Sequence, residues 1–132
     1  MNSPMPMVTG LGQAGFRLAY PGAVIYIDPY LSDRVERLEG PQLKRLRPIP
    51  VAPDRVADAN YVLVSHIHLD HCDIDTLKPI ARASPQCRFI GPREVIRYLA
   101  QEQISEDRLI IADRHSLLLP EGIEIWPIPA AH

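Results

Sequence analysis

The chain has 132 residues, 46% of them hydrophobic and 23% charged, a composition ordinary for one modest globular domain and sufficient for a single core. Its formal net charge of -2 excludes the strongly basic surface that a nucleic-acid binder needs, and no apolar run approaches the ~20 residues of a membrane-spanning helix. Two cysteines, Cys72 and Cys87, are too few for a disulfide framework and point to a reducing cytoplasm.

In chain order, the opening "MNSPMPMVTG" has neither a basic leader nor a long apolar core and does not read as a signal peptide. Gly10-Leu11-Gly12-Gln13-Ala14-Gly15 satisfies G-x-G-x-x-G. A dinucleotide site requires those glycines to open a helix. Here the next residues alternate like a strand and soon reach Pro21-Gly22, so tight-turn glycines are the preferred reading. "FRLAY" and "AVIYID" predict a hairpin over Phe16 to Asp28.

From Pro29 to Asn60 no clean period appears, and the chain's fourteen prolines keep its elements short. "GPQLKRLRPIPVAP" reads as an extended surface connection. Within it Lys44, Arg45 and Arg47 read as a solvated basic run, with capture of an anionic substrate group as the alternative. "YVLVS" is a continuous β-branched run, expected to be a strand buried on both faces. A helix is expected to begin near Asp75 or Thr76, with Leu77, Ile80 and Ala81 on one face and Pro79 in or just past its first turn. "CRFIG" predicts a strand, and "REVIRYLAQE" a helix with Val95, Ile96 and Leu99 inward. "RLIIA" and "GIEIWPIP" predict further strands, the second setting Ile123, Ile125 and Pro127 against Glu124, Trp126 and Ile128. Strands with interspersed helices and no splitting linker predict one α/β unit over residues 1–132.

The chemistry concentrates in "SHIHLDHCD", Ser65 to Asp73. Of five histidines, His66, His68 and His71 fall in this one stretch. In an extended segment residues i and i+2 point the same way, so His66 and His68 leave the preceding strand on one face and can reach a common cation. A turn after Leu69 would aim Asp70 and His71 at a neighbouring point, as a two-metal site requires. Neutral imidazole and carboxylate together suit zinc and neighbouring transition metals. Cys72 reads as a small buried thiol rather than a nucleophile, and His115 as a solvated loop residue.

"HIHLDH" matches the His-x-His-x-Asp-His motif of the metallo-β-lactamase superfamily. "GLGQAGFRLAYPGAVIYIDPYLS" resembles the opening hairpin of that fold, and "IPAAH" the strand and loop carrying its next ligand histidine. The order of the pieces resembles the subgroup containing L-ascorbate-6-phosphate lactonase. "GPQLKRLRPIPVAPDRVADANYVLVSHIHLDHCDIDTL" also resembles the phospholipase D family acting on N-acyl-phosphatidylethanolamine. The resemblance implies a four-layer α/β/β/α sandwich of which this chain supplies the N-terminal half. It implies two divalent ions, zinc or manganese, with His66, His68 and His132 on the first and Asp70 and His71 on the second. Asp28 is either an outer group steadying a ligand by hydrogen bonding or a strand-end acid that starts the Asp-Pro-Tyr turn.

The implied function is metal-dependent hydrolysis of a small, possibly anionic substrate: a lactone or sugar-phosphate-like ester, or else a phosphodiester. Asp70 is the candidate catalytic group that orients the nucleophile or accepts its proton. The alternative is a non-catalytic metal-binding half-domain. The family's later aspartate and histidine ligands would come from beyond His132 or from a second copy, and one sheet face is expected to have nothing of this chain opposite it.

Overall fold

A computed structural model of the chain describes residues 5–130. Strands β1 (Met7–Gly10), β2 (Phe16–Ala19) and β3 (Val24–Ile27) form an antiparallel ribbon. The expected hairpin is present, closed over Pro21-Gly22 where Tyr20 N–H donates to Ala23 O at 2.9 Å. The G-x-G-x-x-G stretch is a turn between β1 and β2, in which Leu11 N–H donates to Gly15 O at 2.9 Å and Gly12 takes a left-handed φ of 80°. No helix follows it, so the phosphate-binding context is absent.

Helix α1 (Arg34–Glu39) and two 3-10 turns, Pro41–Leu43 and Pro53–Arg55, lie in the connection to β4 (Tyr61–Leu63). The stretch from Gly40 to Pro53 is therefore less extended than its composition suggested. Each 3-10 turn starts at a proline, whose fixed φ suits a helical first position.

α2 (Ile74–Ala83), β5 (Arg88–Gly91), α3 (Arg93–Gln101) and β6 (Leu109–Ile111) complete a six-stranded sheet of order β1-β2-β3-β4-β5-β6, parallel from β3 onward. α2 begins slightly earlier than expected because Asp73 caps it, its carboxylate accepting the Asp75 N–H at 3.1 Å. This cap satisfies one of the otherwise orphaned amides of the first turn. Pro79 consequently lies inside the helix, not at its start. Among the described residues no helix is long and apolar enough to cross a membrane.

Period-2 alternation divides the sheet's side chains between two cores. Tyr26, Val62, Val64 and Phe89 pack with Leu77, Ile80, Val95 and Leu99 on the helical face. Right-handed crossovers between strands laid down in monotonic order put α2 and α3 on that one face. Ile25, Tyr61 and Ile90 point to the other. That second face was expected to have nothing of this chain against it. The structure corrects this: a two-stranded hairpin, β7 (Leu117–Leu118) and β8 (Glu124–Ile125), lies over it. Leu119 is 3% exposed there, with Leu117, Ile123 and Ile125 half-buried around it. Tyr61 anchors the hairpin through its hydroxyl, which donates to Glu121 Oε2 at 2.8 Å. "GIEIWPIP" thus keeps its alternation, with Ile123, Ile125 and Pro127 inward, but does not join the main sheet.

Gly15 closes the turn against the end of β3. A Cβ there would sit 2.8 Å from the backbone oxygen of Asp28, closer than packed atoms tolerate. Gly15→Ala is expected to cost about 1–3 kcal/mol through overpacking, read as a lowered urea midpoint. A wild-type midpoint would show that the Asp28 backbone yields freely.

Candidate metal centre

The site lies at the carboxyl ends of the parallel strands, where open α/β sheets place their ligands. Asp28 follows β3 directly, and its N–H donates to Leu63 O at 2.9 Å. Its φ of 44° is a left-handed conformation that aspartate adopts more readily than most residues. The chain turns there, and the side chain, in a residue only 5% exposed, faces the loop after β4. Asp28 Oδ1 accepts the Ser65 N–H at 2.7 Å. Asp28 Oδ2 accepts the Ser65 hydroxyl at 2.5 Å and lies 2.8 Å from His71 Nδ1. Asp28 therefore sits at the turn and hydrogen-bonds His71 from there.

The loop brings the three histidines together. His66 and His68 have ring centroids 4.6 Å apart, and His66 and His71 are 4.0 Å apart. The N–H groups of His71 and Cys72 both donate to His68 O, at 2.9 and 2.7 Å. This is the turn expected around Leu69 and Asp70, and it folds His71 back onto His66. Asp70 Oδ2 is 3.6 Å from His71 Nε2. Asp28, His66 and His71 each offer one ligand-type atom, all within 4.8 Å of one another. His132 lies outside the described residues.

A carboxylate only accepts hydrogen bonds. His71 must therefore present Nδ1–H to Asp28, which leaves the lone pair on Nε2, on the side of Asp70. This is the arrangement that outer carboxylates impose on metal-bound histidines. The donor set fits a divalent transition metal on chemistry alone: imidazole nitrogens, one half-exposed carboxylate, and a buried carboxylate behind them.

Asp73, counted with the cluster by sequence, points away from it. It is fully buried and accepts hydrogen bonds from Ser32 Oγ at 2.6 Å and from Thr76 Oγ1. Burial pushes its carboxyl up, while those hydrogen bonds pull the other way. Its work is to cap α2 and pin the loop after β3. Cys72 is 1% exposed, and burial, with Asp73 and Asp28 adding to it, pushes its thiol up to about 12. It is a core residue with no thiolate to offer. His115 is exposed.

Arg45 departs from the solvated reading given to the basic run. Its guanidinium donates to Tyr30 O at 2.6 Å and stacks 5.0 Å from that ring, so its charge is committed to the fold, whereas Lys44 and Arg47 are exposed. Beside the histidines runs a cleft lined by Leu63, Ile90, Gly91, Ile125 and Pro127, with His66 at the metal side. Ser65 was not singled out by sequence, because a serine after a strand carries no signal of its own. Only the position of Asp28 reveals its part.

The comparisons with known proteins agree with this geometry. Residues 24–132 match the family model described as a beta-lactamase superfamily domain. The chain is 29% identical over 131 residues to N-acyl-phosphatidylethanolamine-hydrolyzing phospholipase D 1 of Caenorhabditis elegans, covering 94% of this chain and 37% of that protein. It is also 29% identical over 141 residues to a protein named metal-dependent hydrolase from Aeropyrum pernix, covering 97% of this chain and 52% of that one. The chain thus spans about a third to a half of these relatives. Among solved structures, Igni18, a metallo hydrolase of Ignicoccus hospitalis, superposes with a TM-score of 0.64 at 22% identity, over 96% of this chain and 49% of that one. At that identity the likeness concerns the fold. With the family model covering most of the chain, and its sheet, loop and histidine cluster in place, the chain belongs to the beta-lactamase superfamily domain family.

Proposed function

We propose that the chain carries the metal-binding part of a metal-dependent hydrolase. The observation that carries this reading is the convergence of His66, His68 and His71 at the strand ends, with Asp28 fixing His71 from behind. His66 and His68, with His132, hold one divalent ion; Asp70 and His71 contribute to a second, zinc or manganese in either case. When bound, such ions polarise a scissile carbonyl or phosphoryl oxygen and acidify water towards a pKa of ~7. Asp70, whose side chain is 40% exposed beside His71 Nε2, orients the attacking water and takes its proton. The cleft beside His66 offers room for the substrate next to the histidines.

The substrate is a small ester. The order of the sequence motifs favours a lactone or sugar-phosphate-like ester. The nematode relative, named as a phospholipase D, favours a phosphodiester as the second reading. Both cysteines are free and buried, which accords with a reducing compartment such as the cytoplasm. A second chain segment or a second copy completes the ligand set.

Metal-replete protein should turn over at least one member of a panel holding a γ-lactone, a sugar-phosphate ester and bis(p-nitrophenyl) phosphate. EDTA should abolish that turnover and added zinc or manganese restore it. Tightly bound metal with no turnover of any member in any assembly state would instead mark a non-catalytic metal-binding module.

A further inference from the structure

We propose that Ser65 is a positioning residue for His66, relaying the Asp28 carboxylate to Nδ1 of that ring. The proposal rests on the reading above, in which His66 binds a divalent ion. Ser65 Oγ lies 2.5 Å from Asp28 Oδ2 and 2.8 Å from His66 Nδ1. A hydroxyl carries one proton, and a carboxylate can only accept. The Ser65 proton therefore goes to Asp28, and Oγ meets His66 with a lone pair. Nδ1 of His66 must then bear the hydrogen, and Nε2 is left as the basic nitrogen. The same carboxylate oxygen fixes His71 directly, through its Nδ1 at 2.8 Å.

One buried carboxylate thus sets the tautomer of two histidines, one by contact and one through a serine. The Ser65 N–H, held by Asp28 Oδ1 at 2.7 Å, locks the backbone from which the hydroxyl reaches. The hydroxyl that donates to Asp28 also reaches the ring of His66, a second contact that the amide cannot make.

The test combines histidine 15N spectroscopy of the metal-free protein at about pH 8 with cobalt titration of wild type, Ser65→Ala, Ser65→Thr and His66→Ala. Wild-type His66 should show a protonated Nδ1 and an unprotonated Nε2. Ser65→Ala should lose that preference and bind cobalt 10- to 100-fold more weakly, the range typical of outer partners of metal ligands, with an altered visible spectrum. Ser65→Thr should restore all three. A wild-type His66 protonated on Nε2 would overturn the relay, and this holds even if Ser65→Ala fails to fold. Wild-type cobalt affinity and spectrum in Ser65→Ala, alongside lost binding in His66→Ala, would overturn the relay and leave the metal reading standing. Unchanged cobalt binding in His66→Ala would overturn both.

Discussion

His66→Ala and His68→Ala are each expected to lower the affinity for zinc or manganese by more than about 100-fold, with little change in stability. Even partners that only support a ligand are worth 10- to 100-fold in affinity, so removal of the ligating nitrogen must exceed that. The fold should survive because neither residue is in either core: His66 is half-buried and His68 exposed, while the packing under the loop comes from Val62, Val64, Leu77 and Phe89. Surface replacements of this kind usually fall within about 0.5 kcal/mol. Equilibrium dialysis with elemental analysis reads the first quantity, and thermal unfolding of the metal-free protein the second. Metal content equal to wild type in both variants would remove the histidine pair from the site.

Asp28→Asn is expected to separate site chemistry from folding more sharply than any alanine. An asparagine fills the same space, and its carbonyl oxygen can still accept the Ser65 N–H that Oδ1 now takes. Its amide group, however, donates where Oδ2 now accepts from the Ser65 hydroxyl and His71 Nδ1. Facing a donor, His71 must turn Nδ1 into an acceptor and move its hydrogen to Nε2, the atom beside Asp70. Metal affinity should therefore fall by about 10- to 100-fold with only a minor change in the unfolding midpoint. Asp28→Ala should do worse on both counts, because it also removes the acceptor of the Ser65 amide. Wild-type metal affinity in Asp28→Asn would reduce Asp28 to a turn-starting acid.

What the sequence disclosed, and what it concealed, follows from the range of each interaction. "YVLVS" was readable as a strand buried on both faces because its apolar run is continuous, and Tyr61 and Val62 do point into different cores. The gathering of histidines was readable because they sit in one short stretch, where a turn, a matter of local geometry, brings the His71 ring within 4.0 Å of the His66 ring. The start of α2 was misplaced because Asp73 and Asp75 are equally plausible caps, and the choice is made by Ser32 and Thr76 from either side. The cover on the second face was missed because "GIEIWPIP" alternates like any sheet strand. Only its pairing with Leu117–Leu118 and its anchor to Tyr61 reveal a separate hairpin. Gly15 reads as a turn glycine from sequence, yet the reason for it, the backbone oxygen of Asp28, lies just past β3, further along the chain. Ser65 was invisible for the same reason: its meaning lies in contact with Asp28.

X-ray absorption at the zinc edge of the metal-loaded protein tests the central claim most directly. A divalent ion held by His66, His68 and their neighbours should show a nitrogen and oxygen shell near 2.0–2.1 Å, with outer scattering from at least two imidazoles that diminishes in His68→Ala. A sulfur shell near 2.3 Å, or a spectrum without imidazole scattering that His68→Ala leaves unchanged, would contradict a histidine-built metal centre at the ends of β3 and β4.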